Sequence, residues 1–226
     1  MNRTNRAFGS EELQREYQRR FAGTEMYRNQ IWSRLVSAFF QTWIPAESAV
    51  LDLGCGYGEF INHVQARAKY AMDLNPDARS KLNQEVEFFL HDCSVKWPLP
   101  AESLDVIFSS NFFEHLPSKE VLSSVIGNAT YCLKPKGRLI CLGPNVKYLA
   151  GAYWDFWDHQ IPLSDRSLQE LLEINGLQIV KVWGRFLPFT MSGGFRPSPI
   201  FVDLYLKCPW IWPLVGRQFL IVAQKT

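Results

Sequence analysis

The stretch VLDLGCGYGEF, residues 50–60, decides the fold. Val50 to Leu53 is a short apolar run, the pattern of a strand buried on both faces. Gly54, Gly56 and Gly58 follow at alternate positions, and the pattern predicts a helix after them, over GEFINHVQA. Glycine permits a tight turn and lets a ligand approach the backbone closely. A helix N-terminus behind it offers unsatisfied N–H groups and positive dipole character. Strand, glycine loop and helix together make a ligand cradle. The plain alternative is a tight turn that holds nothing, so the rest of the chain has to decide.

Strands and helices alternate outward from this point. KYAMDL, VEFFLHD, LDVIFSS and GRLICLG read as further strands. PDARSKLNQ and SKEVLSSVIGNATYCL read as helices between them. LQIVKVWG and QFLIVAQK read as the last two strands, after a helix over 164–176 that Ser164 or Asp165 caps. Apolar strands alternating with helices imply a parallel sheet covered on both faces, with ligands at the carboxyl ends of its strands. Before the first strand, residues 10–43 read as helical, with N-caps at Ser10 and Thr24. We divide the chain into an N-terminal helical segment, 1–45, and a core domain, 46–226.

The chain has 226 residues, a net charge of +2 and 20% charged residues, so nothing suggests nucleic-acid binding by phosphate neutralisation. Five cysteines, an odd number with no CxxC pair, read as free thiols in a reducing compartment, the cytoplasm. The N-terminus is polar and charged, unlike a signal peptide. No apolar run reaches the ~18 residues that span a bilayer. Aromatics crowd towards the C-terminal third. Between the last two strands lies an insertion at about 185–217, far longer than an ordinary hairpin loop. It is rich in Phe, Trp and Pro, with Lys207 and Arg217 at its end. Three roles are open to it: a cap on the core, a lid or peripheral membrane contact, and a homodimer interface.

The glycine spacing separates two ligand classes. A dinucleotide loop wants G-x-G-x-x-G; here it is G-x-G-x-G with Asp52 before it. That pattern resembles motif I of class I S-adenosylmethionine-dependent methyltransferases. HDCS at 91–94, DVIFSSNFFEHL at 105–116 and LKPKGRLICLGPN at 133–145 resemble the family's later motifs, in order. The resemblance covers roughly residues 25–183. It implies a Rossmann-like α/β fold: a doubly wound seven-stranded sheet, mostly parallel with a reversed last strand, and helices on both faces.

The resemblance also implies S-adenosyl-L-methionine as cofactor. Carried over residue by residue, Gly54, Gly56 and Gly58, with Asp52 and Cys55 in the same loop, line its methionine and ribose part. Asp73 takes the ribose hydroxyls, and Leu74 and Asn75 flank the adenine. Asp92 and Cys93 sit at the adenine edge, and Asn111 and Phe112 lie under the methionine end. Arg28, on the preceding helix, could pair with the cofactor carboxylate or be a solvated helix charge.

The cofactor brings the electrophile. The protein must align an acceptor and, for a hydroxyl, remove its proton. Of four histidines, His63 and His91 read as structural. His115 lies just past the fourth strand. His159 lies in YWDFWDHQIPL, residues 153–163, with Asp155 and Asp158 able to orient it. His159, His115 and Asp158 are the candidate catalytic groups. Asp155, Asp158 and His159 could in principle ligate a divalent ion, but their spacing guarantees no convergence and no metal is expected. The expected partner is a small-molecule acceptor, a sugar or lipid-linked glycan hydroxyl. The alternatives are O- or C-methylation of a quinone-type or polyketide phenol, and a non-catalytic cofactor-binding partner protein.

Overall fold

The computed structural model describes residue 15 and residues 23–189 and 198–226. The helix expected over 10–20 and its Ser10 cap lie outside the described residues, apart from residue 15.

Seven strands form one sheet in the order β3-β2-β1-β4-β5-β7-β6. They are β1 (Ala49–Leu53), β2 (Ala68–Asp73), β3 (Val86–Leu90), β4 (Leu104–Ser110), β5 (Leu133–Pro144), β6 (Leu177–Trp183) and β7 (Gln218–Lys225). β1 to β5 pair in parallel. β7 runs antiparallel to both β5 and β6. This is the Rossmann-like doubly wound sheet with a reversed last strand.

Side chains alternate across the sheet and divide the core in two. On one face, Leu51, Leu53, Ile107 and Phe219 pack with Leu122, Val125 and Ile126 of α2 (Lys119–Cys132). Leu168 and Leu172 of α4 (Asp165–Ile174) complete that layer. Ser118 caps α2, accepting from Val121 N at 3.3 Å. Ser164 caps α4 in a reciprocal box with Ser167. On the other face, Val50, Val106, Phe108, Ile140 and Leu220 pack against Leu35 and Val36 of α1 (Glu25–Ala38) and Phe40 beyond it. Thr24 stands at the N-cap position of α1.

Two expected helices differ in kind. The segment after the glycine loop forms turns over 59–63, then runs without regular structure to β2. Distance gives the reason. The five residues of β1 climb roughly 17 Å. The glycines turn the chain as far as Gly58, and a helix over residues 59–67 would return only about 13 Å at 1.5 Å per residue. One turn is formed and the rest must extend. PDARSKLNQ becomes a 3₁₀ helix, Pro76–Lys81, started by Asn75, whose Oδ1 accepts from Asp77 N at 3.0 Å.

The aromatic insertion has two sides. Phe186 and Trp212 are buried in the α1-side core, with ring centroids 4.9 Å apart. Phe39 meets Phe186 at 4.7 Å. The insertion also holds α5 (Ile200–Leu206) and α6 (Trp212–Val215), with α3 (Val146–Leu149) beside it after β5. Arg34 of α1 pairs with Asp203 of α5. No helix among the described residues is long and apolar enough to cross a membrane.

Candidate active site

The candidate cofactor residues outside α1, and His115, lie at or just beyond the carboxyl end of a strand, whereas Asp158 and His159 follow β5 after two short helices. β1 delivers the glycine loop in left-handed conformation, with φ of +69° at Gly54, +56° at Gly56 and +74° at Gly58. L-residues rarely adopt this region, which is why glycine recurs at alternate positions. Gly54 N and Cys55 N both donate to Met72 O, at 2.9 and 3.2 Å, and so bond the loop to β2.

Asp73, at the end of β2, is the node of this edge. Its Oδ2 accepts from Gly56 N at 2.8 Å and its Oδ1 from Asn75 N at 2.8 Å. Its backbone oxygen accepts from His91 N, past the end of β3, at 3.2 Å. One aspartate therefore ties together three strand ends. Leu74 beside it is half-exposed, whereas Asn75 is fully buried, and Asn75 Nδ2 has no hydrogen-bond partner among the described residues. Beyond β3, Asp92 Oδ1 accepts from Ser94 N at 2.8 Å, and buried Cys93 O accepts from the indole of Trp97 at 2.8 Å. Burial, then the charge of Asp92, pushes the Cys93 thiol up to about 12.

Two elements close on the loop. Phe112, past β4, lays its ring against Gly54: a Cβ built there would stand 2.3 Å from Phe112 Cγ. Asn111 before it is left-handed (φ 49°), donates its N–H to Leu142 O at 2.8 Å, and has a buried Oδ1 with no hydrogen-bond partner among the described residues. From the other side, Arg28 of α1 donates its Nε–H to Glu59 Oε1 at 2.7 Å. Glu59 is thus a partner that sequence reasoning missed; its only signal was a carboxylate one residue past the last glycine. Asp52 is buried beneath the loop. Burial, then the charges of Glu59 and Asp73, raise its carboxyl well above the usual carboxylate range. Burial, then the charges of Asp73, Asp52 and Glu59, likewise raises the Cys55 thiol.

The second cluster lies past β4 and β5. Phe113–His115 is a short 3₁₀ turn, and Glu114 O accepts from Gln160 N (2.8 Å) and Ile161 N (3.1 Å). This bonds SNFFEHL to YWDFWDHQIPL, with Gln160 lying 46 positions on from Glu114. Asp158 Oδ2 then stands 2.8 Å from His115 Nδ1. The His159 ring lies 4.9 Å from that of His115, stacked on Phe156 at 5.0 Å and edge-on to Tyr153 at 4.7 Å. Tyr153 is fully buried, donating its hydroxyl to Ile161 O and accepting from Leu163 N at 3.2 Å. Trp154 and Trp157 face solvent, Trp157 at 92% exposure.

Carboxylates therefore stand at both ring nitrogens of His115: Asp158 Oδ2 at Nδ1, from 43 residues away, where the local sequence had suggested His159 as its partner, and buried Glu114 Oε1 at 3.8 Å from Nε2. Glu114, His115 and His159 bring ligand-type atoms within 4.8 Å of one another, whereas Asp155 is exposed and outside that group. His63 bonds Asn29 Oδ1 at 2.7 Å and His91 bonds Lys96 O at 3.0 Å.

Comparison with known proteins adds to this geometry. A family model described as a methyltransferase domain matches residues 24–182. The chain is similar in fold to an S-adenosylmethionine-dependent methyltransferase from Archaeoglobus fulgidus, with 20% identity, a TM-score of 0.68, and 94% of this chain and 99% of that one covered. One from Thermotoga maritima gives 16% identity, a TM-score of 0.67, and coverage of 96% and 97%. The [4+2]-cyclase SpnF is similar at 16% identity and a TM-score of 0.60, with 85% of this chain and 80% of that one covered. At these identities the structural likeness speaks for the fold. No curated protein matches the chain significantly. The family match spans most of the chain, with the glycine loop, Asp73 and the fourth-strand motif inside it, and the chain accordingly belongs to the methyltransferase domain family as an S-adenosylmethionine-dependent enzyme.

Proposed function

We propose that this methyltransferase acts on a hydroxyl of a small-molecule acceptor, a sugar or lipid-linked glycan, and that the Asp158–His115 pair with His159 beside it removes the proton. The carrying observation is the 2.8 Å contact between Asp158 Oδ2 and His115 Nδ1. A carboxylate on one ring nitrogen fixes the imidazole's orientation and raises the basicity of the ring. The His115 side chain is 22% exposed, whereas His159 is 6% exposed. In this reading His115 meets the acceptor and His159, held between Phe156 and Tyr153, buttresses it. Trp154 and Trp157 offer flat apolar faces that suit the C–H face of a sugar ring.

The residues at the carboxyl edge fit S-adenosylmethionine, which supplies a methyl group on a sulfonium. The left-handed loop at Gly54, Gly56 and Gly58 would hold its methionine and ribose part. Asp73, held at the end of β2 with its carboxylate accepting from Gly56 N and Asn75 N, would take the ribose hydroxyls. Two buried polar atoms await partners on the same edge: Asn111 Oδ1, an acceptor suited to the cofactor's ammonium, and Asn75 Nδ2, a donor near the adenine end. Leu74, Asp92 and Cys93 would flank the adenine. Arg28, oriented by its Nε–H bond to Glu59, would pair with the cofactor carboxylate. Five free cysteines, four of them buried, suit a reducing compartment such as the cytoplasm.

Transfer of labelled methyl from S-adenosylmethionine to a panel of glycans, lipid-linked glycans, quinols and phenols tests this reading. His115→Ala should lower turnover by about 10²–10⁴ with cofactor affinity kept, and His159→Ala should lower it less. Near-full turnover in both variants removes the base assignment. Labelling of quinols or phenols alone removes the glycan assignment, and cofactor binding with no acceptor at all points to a partner protein.

A further inference from the structure

Among the described residues, the outer side of the insertion is an exposed apolar surface. Ile200, Phe201, Leu204, Trp210, Leu214 and Val215 are each between 42% and 71% exposed. At about 100° per residue, Ile200, Leu204 and Lys207 share one arc of α5, with Phe201 at its margin. Val202, Tyr205 and Leu206 face the opposite way, onto the α1-side core. Trp212 follows them inward, donating its indole N–H to Tyr205 O at 2.9 Å. The inner half of this element is thus a finished core contact, and the outer half is apolar apart from Lys207.

Charge indicates the partner. The ionised side chains of residues 198–217 are Asp203, Lys207 and Arg217. Asp203 is held by Arg34, while Lys207 is exposed and Arg217, exposed too, donates from Nη1 to Tyr148 O at 2.7 Å at the end of the insertion. The surface therefore presents large apolar groups, an exposed Trp and cations, the composition of an interfacial lipid contact. Its position agrees. β6 ends and β7 begins at the sheet's carboxyl edge, where Gln218 pairs with Pro144, so the insertion leaves from the edge that carries the site. Phe189 meets Phe156 of the acceptor stretch at 5.5 Å.

We infer that the outer face of residues 200–215 docks on an anionic lipid surface and so holds the mouth of the site against the membrane. This deepens the lipid-linked reading of the acceptor, yet it is read without any acceptor. The test is co-sedimentation of the full chain with vesicles of phosphatidylcholine alone and of phosphatidylcholine mixed equally with phosphatidylglycerol. Binding should favour the anionic vesicles and weaken with salt. Leu204→Ser with Trp210→Ser should lower it at least about tenfold, and Lys207→Glu about fivefold, with melting temperature and cofactor affinity unchanged. Failure to bind anionic vesicles at low salt overturns the inference, as does binding that these variants leave intact. So does a concentration-dependent dimer in light scattering that the same variants dissociate, since a second copy would then cover the face. A chain that binds vesicles but methylates only soluble phenols keeps this inference and loses the glycan reading.

Discussion

Replacing Gly54 by alanine tests the cradle at its tightest point. Two costs arise there. The residue is left-handed at φ +69°, and an L-residue in that region costs roughly 1–2 kcal/mol. The new Cβ would also stand 2.3 Å from Phe112 Cγ. Carbon contacts settle at about 3.5–4.0 Å, so the ring must retreat by more than an ångström. Overpacking of this kind costs typically about 1–3 kcal/mol. The sum is about 2–5 kcal/mol, or a fall in Tm of roughly 4–20 °C at ~2–4 °C per kcal/mol for a chain of this size. Only the second cost involves Phe112. Adding Phe112→Ala should therefore return about 1–3 kcal/mol and leave the backbone cost in place. A double-mutant cycle by urea denaturation, with cofactor titration alongside, measures that coupling. If Gly54→Ala melts with its parent, or the two substitutions merely add, Phe112 does not lie over the glycine and the argument for the cradle's shape fails.

Two further outcomes follow from burial. Trp212→Ala removes a 4% exposed indole from contact with Phe39, Phe186 and Tyr205 and should cost about 3–5 kcal/mol, whereas Trp210→Ala, two residues earlier and 71% exposed, should leave Tm within about 1–2 °C; equal effects would mean the insertion does not pack as described. Asp52→Asn should be stabilising at neutral pH. Burial, then Glu59 and Asp73, raises the Asp52 carboxyl above its ordinary 3.8, so the folded chain keeps a proton that the unfolded chain releases. Stability is then full below the unfolded value and declines as pH rises above it. The Tm advantage of the variant should be present at pH 7 and gone near pH ~3; an advantage that ignores pH would show that this carboxyl does not titrate on folding.

The sequence by itself determined the sheet. The central strands β1, β4 and β7 are mostly apolar runs whose alternation matches both cores, and Gly54, Gly56 and Gly58 mark the cradle because few other residues tolerate φ near +60°. Family motifs identified the carboxyl-edge residues as a set. Local pattern went no further where distance or remote partners ruled. GEFINHVQA has a helical pattern, yet the short crossover from β1 to β2 allows one turn. Asp158 reads as the neighbour of His159, yet Glu114's bonds to residues 160 and 161 bring it to His115. The tertiary structure alone divided the aromatics: Phe186, Trp212 and Tyr153 inside, Trp154, Trp157 and Trp210 outside. Hydrophobicity is a property of each residue, but burial depends on which side of an element meets the sheet, and only the packed chain sets that.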